Sequence, residues 1–350
     1  MSDEQIAAGS DDVQVVDPAR DGAWDNLVAT HPQASVFHSS AWAKVLMNTY
    51  GHQPFYLSVT RDGRPMALLP LMEVASRLTG RRAVSLPFSD FAGPLFFESD
   101  LSLQPLTAPL ANLARARRWK YVELRTEAGA ETPSFFSHTL DLTVGPERLL
   151  ENVASTVRRN LRKAARSGVT VTIGQKRSQL VEYYRLHVRT RRRHGLPPQS
   201  FTFFANLHQQ LLQRDGGFIV LAFHGTRPIA GAVFLLAGPK AVFKFGASDE
   251  RFQQFRANNL VMWEAIKILS ERGAAMLHFG RTSPENEGLR RFKLGWGATE
   301  GAMAYSRLHP STTQWTVVSS SSAGMHQHVF RKLPLVANRL LGSVCYPHLD

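Results

Sequence analysis

The chain has 350 residues, which is long enough for two domains with hydrophobic cores of their own. With 43% hydrophobic and 20% charged residues the composition is globular, and a single cysteine, Cys345, excludes a disulfide framework and a cysteine-based zinc site. The formal net charge of +13 favours association with anions such as nucleotide phosphates, nucleic acid or an anionic membrane face, although arginines also serve as solvated surface.

The first 20 residues are polar and acidic, which is not the pattern of a signal peptide. No uncharged apolar run approaches the roughly 18 residues that a membrane-spanning helix needs. We therefore expect a cytoplasmic protein that can also contact the inner face of the membrane, and a flexible tail at 1–20. No histidine pair has the HxxxH spacing of a helical metal site, so no metal is expected.

The first half is predicted to contain two short helices, a meander of three strands, a further helix and two further strands. The two short helices are predicted at 21–30 and after an N-cap at Ser39 or Ser40, and the strands of the meander at 55–60, 66–75 and 83–88. The further helix lies within 101–119, and the last two strands are at 121–125 and 135–143.

The second half begins after Gly145-Pro146 with a predicted long helix over 147–167. Its basic residues Arg158, Arg162 and Arg166 are one turn apart, which places them on one face. The following segments are a strand at 169–173, helices at 180–193 and 203–213, strands at 218–223, 229–237 and 241–248, a helix from Asn258 or Asn259 to Arg272, and a strand at 276–280.

The two halves have the same order of elements, and Arg-Pro closes the first hairpin turn in each. Three antiparallel strands, a crossover helix and a parallel strand form the core order of the GNAT N-acyltransferase fold. We therefore predict an α/β (α+β) protein with tandem duplicated GNAT domains, mixed sheets and crossover helices. The predicted domains are 21–145 and 146–310, followed by a tail at 311–350 whose short amphipathic segment either docks on the domain or lies on a membrane.

Four segments, VSLPFSD (84–90), RRNLRKA (158–164) with Gly168-Val169, FGRT (279–282) and RFKLGWG (291–297), resemble the FemAB-like branch of the GNAT superfamily. The resemblance covers roughly 37–308. The family includes enzymes that add amino acids from aminoacyl-tRNA to peptidoglycan precursors, and others described as acetyltransferases. It implies acyl transfer to an amine, with acyl-CoA (acetyl-CoA) or aminoacyl-tRNA as the anionic donor, and no DNA partner.

The chain departs from the family pattern in two places. GNAT proteins that bind acetyl-CoA carry a glycine-rich turn, Q/R-x-x-G-x-G/A, before the crossover helix, whereas residues 254–259 read QFRANN. Members that use aminoacyl-tRNA often insert a long helical hairpin, and no long heptad stretch occurs here.

The candidate site is the polar loop after the strand at 276–280. Lys293 is predicted to point into a cleft and to bind a phosphate or a developing oxyanion, and Arg281 to clamp a carboxylate or phosphate. The helix start at Asn258 and Asn259, with Arg256 before it, is the predicted anion site. A solvated lysine, a structural salt bridge and a simple N-cap are the respective alternatives.

The candidates for a general base are Asp249 and Glu285, and further candidates are Glu287 and Asp90. Alternatively, the proton passes through water. Two further sets are predicted to bind substrate. They are Arg158, Arg162 and Arg166 for a polyanion, with a solvated helix face as the alternative, and Phe88, Ser89 and Asp90 for the acceptor, with core packing as the alternative.

The sequence thus favours an N-acyltransferase that moves an acyl or aminoacyl group onto an amine of a cell-envelope or small-molecule acceptor by direct attack. The first alternative is an aminoacyl-tRNA-dependent ligase of peptidoglycan precursors. The second is a non-catalytic, polyanion-binding tandem GNAT module.

Overall fold

The computed structural model describes residues 6–8, 11–98, 101–127, 133–319 and 330–349. The chain divides into two units by its internal contacts. The first consists of residues 1–135, 302–320 and 345–350, and the second of residues 136–301 and 321–344.

Among its described residues the first unit contains three α-helices, and the strands there form two sheets. The helices are α1 (Trp24–Ala29), α2 (Ser40–Tyr50) and α3 (Gln104–Ala116), and the strands from the first half of the chain are β1 (Ile6–Ala8), β2 (Asp11–Val16), β3 (Gln53–Pro54), β4 (Tyr56–Arg61), β5 (Arg64–Leu69), β6 (Met72–Ser76), β7 (Gly80–Val84), β8 (Leu95–Phe96) and β9 (Val122–Thr126). One sheet has the order β1-β2-β4-β5-β8, and in the other β7 lies between β6 and a parallel β9.

The second unit has a hydrophobic core that contains more buried residues than the core of the first unit. Its elements are β10 (Phe135–Asp141), α4 (Gly145–Asn152), α5 (Ser155–Arg166), β11 (Val169–Gly174), α6 (Arg177–Arg193), α7 (Phe201–Gln210), β12 (Gly217–His224), β13 (Arg227–Ala237), β14 (Lys240–Ser248), α8 (Ala257–Glu271), β15 (Met276–His278), α9 (Glu287–Leu294) and α10 (Leu335–Cys345, whose last residue belongs to the first unit). The strand order is β11-β12-β13-β14-β15-β10, with β14 and β15 parallel and the other neighbours antiparallel. The crossover helix α8 packs on β12 and β13 and buries Val261, Met262, Ile266 and Leu269 in the core.

The last strands are β16 (Thr299–His309) and β17 (Gln314–Val317), and short 3-10 helices lie at Val36–His38, Leu212–Arg214, Glu250–Phe255 and Tyr346–His348. The chain exchanges strands between its halves. Strand β10 follows β9 but pairs with β15, with Thr139 opposite His278. Strand β16 follows β15 but pairs with β9, with Leu308 opposite Val122.

This exchange explains why the units change at 135/136 and 301/302, whereas the sequence placed the boundaries at 145/146 and 310/311. The sequence prediction assigned the strand at 135–143 to the first domain, but its hydrogen-bonded partner β15 belongs to the second unit.

The predicted tandem GNAT order is confirmed. Each unit has two antiparallel hairpin strands, a third strand, a crossover helix and a strand parallel to the third: β4, β5 with β6, β7, α3 and β9 in the first, and β12, β13, β14, α8 and β15 in the second. The middle strand differs. The predicted strand at 66–75 is divided between β5 and β6 in different sheets, because Pro70 lacks the N–H group that a continuous ladder needs.

Two other predictions are corrected. Residues 11–16 of the predicted N-terminal tail are a strand, because β2 pairs with β4 and buries Val13. The predicted helix over 147–167 is two helices, since Val153 is extended (ψ 150°) and the Ala154 N–H donates to the Gly295 carbonyl at 2.9 Å instead of continuing the helix. Residues 320–329 of the predicted C-terminal tail lie outside the described residues.

Across the ranges that the structure describes, no helix combines the length and the apolar character needed to cross a membrane.

Candidate functional site

The second unit has a gap between its two parallel strands at their carboxyl ends. Strand β14 pairs with β15 only from Lys240 to Val242, and then continues to Ser248 after β15 has ended at His278. Helix α8 begins shortly after β14, so its N-terminus belongs to the same end of the sheet. Carboxyl ends of parallel strands together with a helix N-terminus are where open α/β sheets bind ligands.

Lys293 lies in the last turn of α9 and not in a loop, because Asn286 caps the helix by accepting from the Leu289 N–H at 3.1 Å. Its side chain is buried, with the residue 1% exposed, so it does not point into an open cleft as predicted. The ammonium donates to the Gly280 carbonyl at 2.7 Å, the Arg281 carbonyl at 3.1 Å and the Thr282 hydroxyl at 2.7 Å. Each hydrogen of the ammonium therefore has an acceptor, and Lys293 holds the loop at residues 280–282 in place.

The same loop is fixed from its other side at Gly280. Its φ of +71° is a conformation that favours glycine, and its N–H donates to Nδ1 of His278 at 2.8 Å. Because Gly280 is bonded at both its N–H and its carbonyl, the backbone directly after β15 is held rigidly.

A buried histidine that the sequence prediction missed lies beside this loop. Nε2 of His138 on β10 is 3.1 Å from Oε2 of Glu300, and the residue is 0% exposed. Arg290 of α9 forms a two-pronged pair with Glu300, at 2.6 and 2.7 Å. The hydrogen bond from Arg290 lowers the pKa of the Glu300 carboxyl, so Glu300 is ionised near pH 7 and accepts the Nε2–H proton of His138.

Burial, together with the nearby charge of Lys293, lowers the pKa of His138 to about 4, against the opposite effect of Glu300. The imidazole is therefore neutral at pH 7, with its proton on Nε2. Nδ1 is buried and has no hydrogen-bond partner in the described part of the chain. His138 is thus an oriented acceptor next to the Lys293 loop.

The other predicted residues of this loop and of the α8 start are placed as follows. Arg281 and Glu285 are exposed side chains of the loop itself. Helix α8 starts at Ala257, so Asn258 and Asn259 lie in its first turn and its N-cap is Arg256, which has no side-chain capping bond. Arg256 is exposed and left-handed, with φ +57°.

Asp249, a predicted general base, is buried among three arginines. Its carboxylate pairs with Arg251 at 2.6 Å, Arg227 at 3.4 Å and Arg189 at 3.5 Å, and also accepts from the Arg251 backbone N–H at 3.2 Å. The hydrogen bond from the Arg251 side chain lowers the pKa of Asp249, which makes it a weak base. The structure favours a structural role at the turn before α8.

Replacing Asp249 with Asn is expected to destabilise the second unit by about 1–3 kcal/mol at pH 7, because hydrogen bonds to a charged acceptor are lost. Since the folded pKa of Asp249 is depressed, this stabilisation is present above its unfolded pKa of about 4 and is lost as the pH falls through the folded pKa. Urea unfolding of both proteins at pH 7 and pH 3 measures this. Glu271→Gln, at an exposed carboxylate near the end of α8, is the control, and an equally small effect of both substitutions would contradict the role.

The remaining candidates lie elsewhere in the fold. Phe88, Ser89 and Asp90 belong to the first unit: Phe88 packs on Tyr50 with ring centres 4.9 Å apart, the Ser89 hydroxyl donates to the Leu86 carbonyl at 2.6 Å, and the Asp90 carbonyl accepts from another side chain. Ser89 is buried and its hydroxyl bonds to the loop backbone, so an acceptor role for the three stays a prediction.

The three arginines of α5 are not equivalent. Arg162 and Arg166 are exposed, whereas Arg158 is half-buried and donates to the Glu151 carbonyl at 2.8 Å across the break between α4 and α5. Arg158 is therefore at least in part a structural residue, and polyanion binding by this face stays a prediction.

The comparisons with known proteins agree with this architecture. Residues 151–300 match the family described as the acetyltransferase (GNAT) domain, so the second half of the chain carries a GNAT domain. The structure is similar to that of FemX, with a TM-score of 0.66 at 15% identity, over 86% of this chain and 95% of FemX. It is also similar to a tandem GNAT protein from the clavulanic acid biosynthesis pathway, with a TM-score of 0.55 at 13% identity, over 89% of this chain and 99% of that one.

Among curated proteins, the lipid II:glycine glycyltransferase of Staphylococcus haemolyticus is 30% identical over 100 residues, which cover 27% of this chain and 24% of that enzyme. The chain thus spans about a quarter of the length of this relative. The predicted resemblance to the FemAB-like branch of the GNAT superfamily is confirmed.

Proposed function

We propose that this protein is an N-acyltransferase that moves an acyl or aminoacyl group onto an amine of a cell-envelope precursor. The observation that carries the proposal is the buried Lys293 ammonium, which fixes the Gly280–Thr282 backbone at the end of β15 inside a GNAT domain. The similarity to a lipid II:glycine glycyltransferase supports an envelope precursor as the acceptor.

In the proposed reaction the acceptor nitrogen attacks the carbonyl carbon of the donor. A C–N bond forms, the carbonyl oxygen becomes an oxyanion, and the C–S or C–O bond to the leaving group then breaks. The amine proton passes to water or to a base. The residues of this chain contribute a rigid loop and a fixed positive charge, which stabilise an oxyanion better than a neutral carbonyl.

Lys293 acts on this reaction as a positioning residue. All three ammonium hydrogens are engaged by Gly280, Arg281 and Thr282, so none remains for a substrate in this conformation. Its contribution is to aim the loop, and the exposed Arg281 side chain then contacts the anionic substrate.

The donor remains one of two classes, an acyl-CoA or an aminoacyl-tRNA. The turn before α8 lacks the glycine of a CoA pyrophosphate turn, yet Arg256 adopts the left-handed backbone typical of glycine at that place. The turn therefore has a glycine-like backbone at Arg256, with an exposed guanidinium that suits phosphate, and both donor classes carry phosphate. Contact with an anionic membrane, where envelope precursors reside, is part of this proposal.

A non-catalytic, polyanion-binding module is the second candidate, and the exposed arginines of α5 favour it. The two are separated by incubating the purified chain with a UDP-linked muropeptide and, in turn, acetyl-CoA, longer acyl-CoAs or aminoacyl-tRNA. We expect a new amide on the acceptor with one donor class, detected by mass spectrometry. Absence of any amide with every donor, together with heparin binding, would favour the non-catalytic module.

A further inference from the structure

Within the described part of the chain, helix α10 presents an exposed apolar face. Val336, Leu340 and Val344 are 68%, 65% and 63% exposed. Residues four apart lie on one side of a helix, so these three side chains form a continuous strip, here called the α10 strip. An exposed strip of three large apolar side chains is unfavourable in water and indicates an interaction surface.

The opposite face of α10 is fixed to the second unit. A Cβ added at Gly342 would lie 2.1 Å from the Pro198 carbonyl oxygen, so the helix approaches that backbone as closely as only glycine permits. Asn338 is 0% exposed, and the Arg339 guanidinium lies 5.5 Å from the centre of the Tyr184 ring. The strip is therefore held on a docked helix and is not part of a loose tail.

The surroundings of the strip are basic. Arg331, Lys332 and Arg339 are exposed, and the sequence from 330 to 349 contains no aspartate or glutamate. The end of α6 adds further charge, because Arg191 and Arg193 act together with Arg331 on His194. Burial lowers the pKa of His194, and the charges of Arg193, Arg191 and Arg331 lower it further against the opposite effect of Glu250, so basic residues of α6 and of the segment before α10 lie near the same imidazole.

We infer that the α10 strip docks on an anionic lipid surface, with Val336, Leu340 and Val344 in the headgroup boundary and the neighbouring arginines on lipid phosphates. Charge argues against a second copy of the chain as the occupant. Two copies would bring the same basic surroundings together, each on a chain of formal charge +13. The inference rests on the membrane contact in the proposed function but not on the acyl transfer itself, and because its test uses no substrate, its failure would leave the proposed reaction standing.

The experiment is co-sedimentation of the full chain with phosphatidylcholine vesicles that contain or lack phosphatidylglycerol, at low and high salt. We expect binding to the anionic vesicles that weakens with salt, since exposed charge attraction is screened. Leu340→Ser with Val344→Ser should weaken that binding by roughly tenfold or more, because apolar burial is lost. Leu78→Ser is the matched control, since Leu78 is 76% exposed in the first unit, and it should bind like the unchanged protein.

Circular dichroism and thermal unfolding establish that each variant folds. Arg331→Gln with Lys332→Gln supplies a second test that leaves the helix packing intact, and it should reduce the salt dependence. The inference is overturned if the unchanged protein ignores anionic vesicles, or if the strip variant binds them as well as the control does. It is also overturned if the strip variant turns a dimer into a monomer in light scattering, since a second copy then covers the strip.

Discussion

Lys293→Met is expected to lower turnover by on the order of 10²-fold, the scale of a site misplaced by about 1 Å, and to raise KM as well, because the loop that it holds also positions the substrate-contacting Arg281. Methionine keeps the length of the side chain but leaves two carbonyls and a hydroxyl without the donor that they share. The loop after β15 then loses its defined position, and with it the transition-state contacts of its backbone.

The buried position of Lys293 also predicts a loss of stability of about 3 kcal/mol, because buried acceptors are left without a donor. Lys267→Met is the matched control: Lys267 is half-buried on α8 and pairs with Glu264 at 2.9 Å, a surface ion pair of small energetic value. Steady-state kinetics and urea unfolding of both variants make the test. If Lys293→Met matches Lys267→Met in turnover and in stability, Lys293 neither positions the loop nor supports catalysis.

Thr282→Val separates the effect of the Lys293 bonds on turnover from their effect on stability. It removes one of the three acceptors and leaves the ammonium with its two carbonyl partners, so we expect a smaller loss of turnover in a folded protein. A graded series from Thr282→Val to Lys293→Met supports positioning through the loop, whereas a large effect on KM alone would assign Lys293 to ground-state binding.

Local features of the sequence account for the elements that it predicted well. Ser39 caps α2 by accepting from the Trp42 N–H at 3.2 Å, and Gly51 ends that helix in a left-handed conformation. Both signals act within a few residues, so a single sequence reveals them. The repeated order of strands and crossover helices follows in the same way from turns and helix ends.

Features that depend on distant partners could not be predicted. The break between α4 and α5 depends on the Gly295 carbonyl, which accepts from Ala154, and the exchange of β10 and β16 depends on strands of the other half. No local pattern records either contact. The sequence therefore predicted one long helix and domain boundaries that miss the exchange.

At the candidate site, too, local signals were predictable and contacts with distant partners were not. The pattern around Phe292-Lys293 identified the segment, but the direction of the lysine is decided by carbonyls more than ten residues earlier in the chain. His138 was missed because its partner Glu300 is 162 residues away. The one available signal was a histidine inside an otherwise apolar strand, which is more often a core residue than a functional one.

Acidification from pH 7 to pH 5 is expected to destabilise the second unit by about 2 kcal/mol through His138 alone. Its pKa is about 4 in the folded protein and about 6.5 in the unfolded chain. The folded pKa is depressed, so the stabilisation is present above pH 6.5 or so and is lost progressively as the pH falls toward 4, where the unfolded chain binds the extra proton. The pKa values of Asp249 and Glu300 are lowered in the folded protein, so both carboxylates stay ionised there between pH 7 and pH 5.

His138→Gln removes the titration but keeps a donor for Glu300, so the variant should lose this part of the pH dependence. The pH dependence of the variant must be subtracted from that of the unchanged protein, because the pKa of the buried His187 is also lowered, to about 3. His187 contributes equally to both proteins and cancels in that difference. A local measurement suits a chain of two units, so we would follow amide hydrogen exchange at Phe279, whose N–H donates to the His138 carbonyl at 2.9 Å. Equal pH dependence of that protection in the variant and the unchanged protein would show that His138 does not hold a depressed pKa.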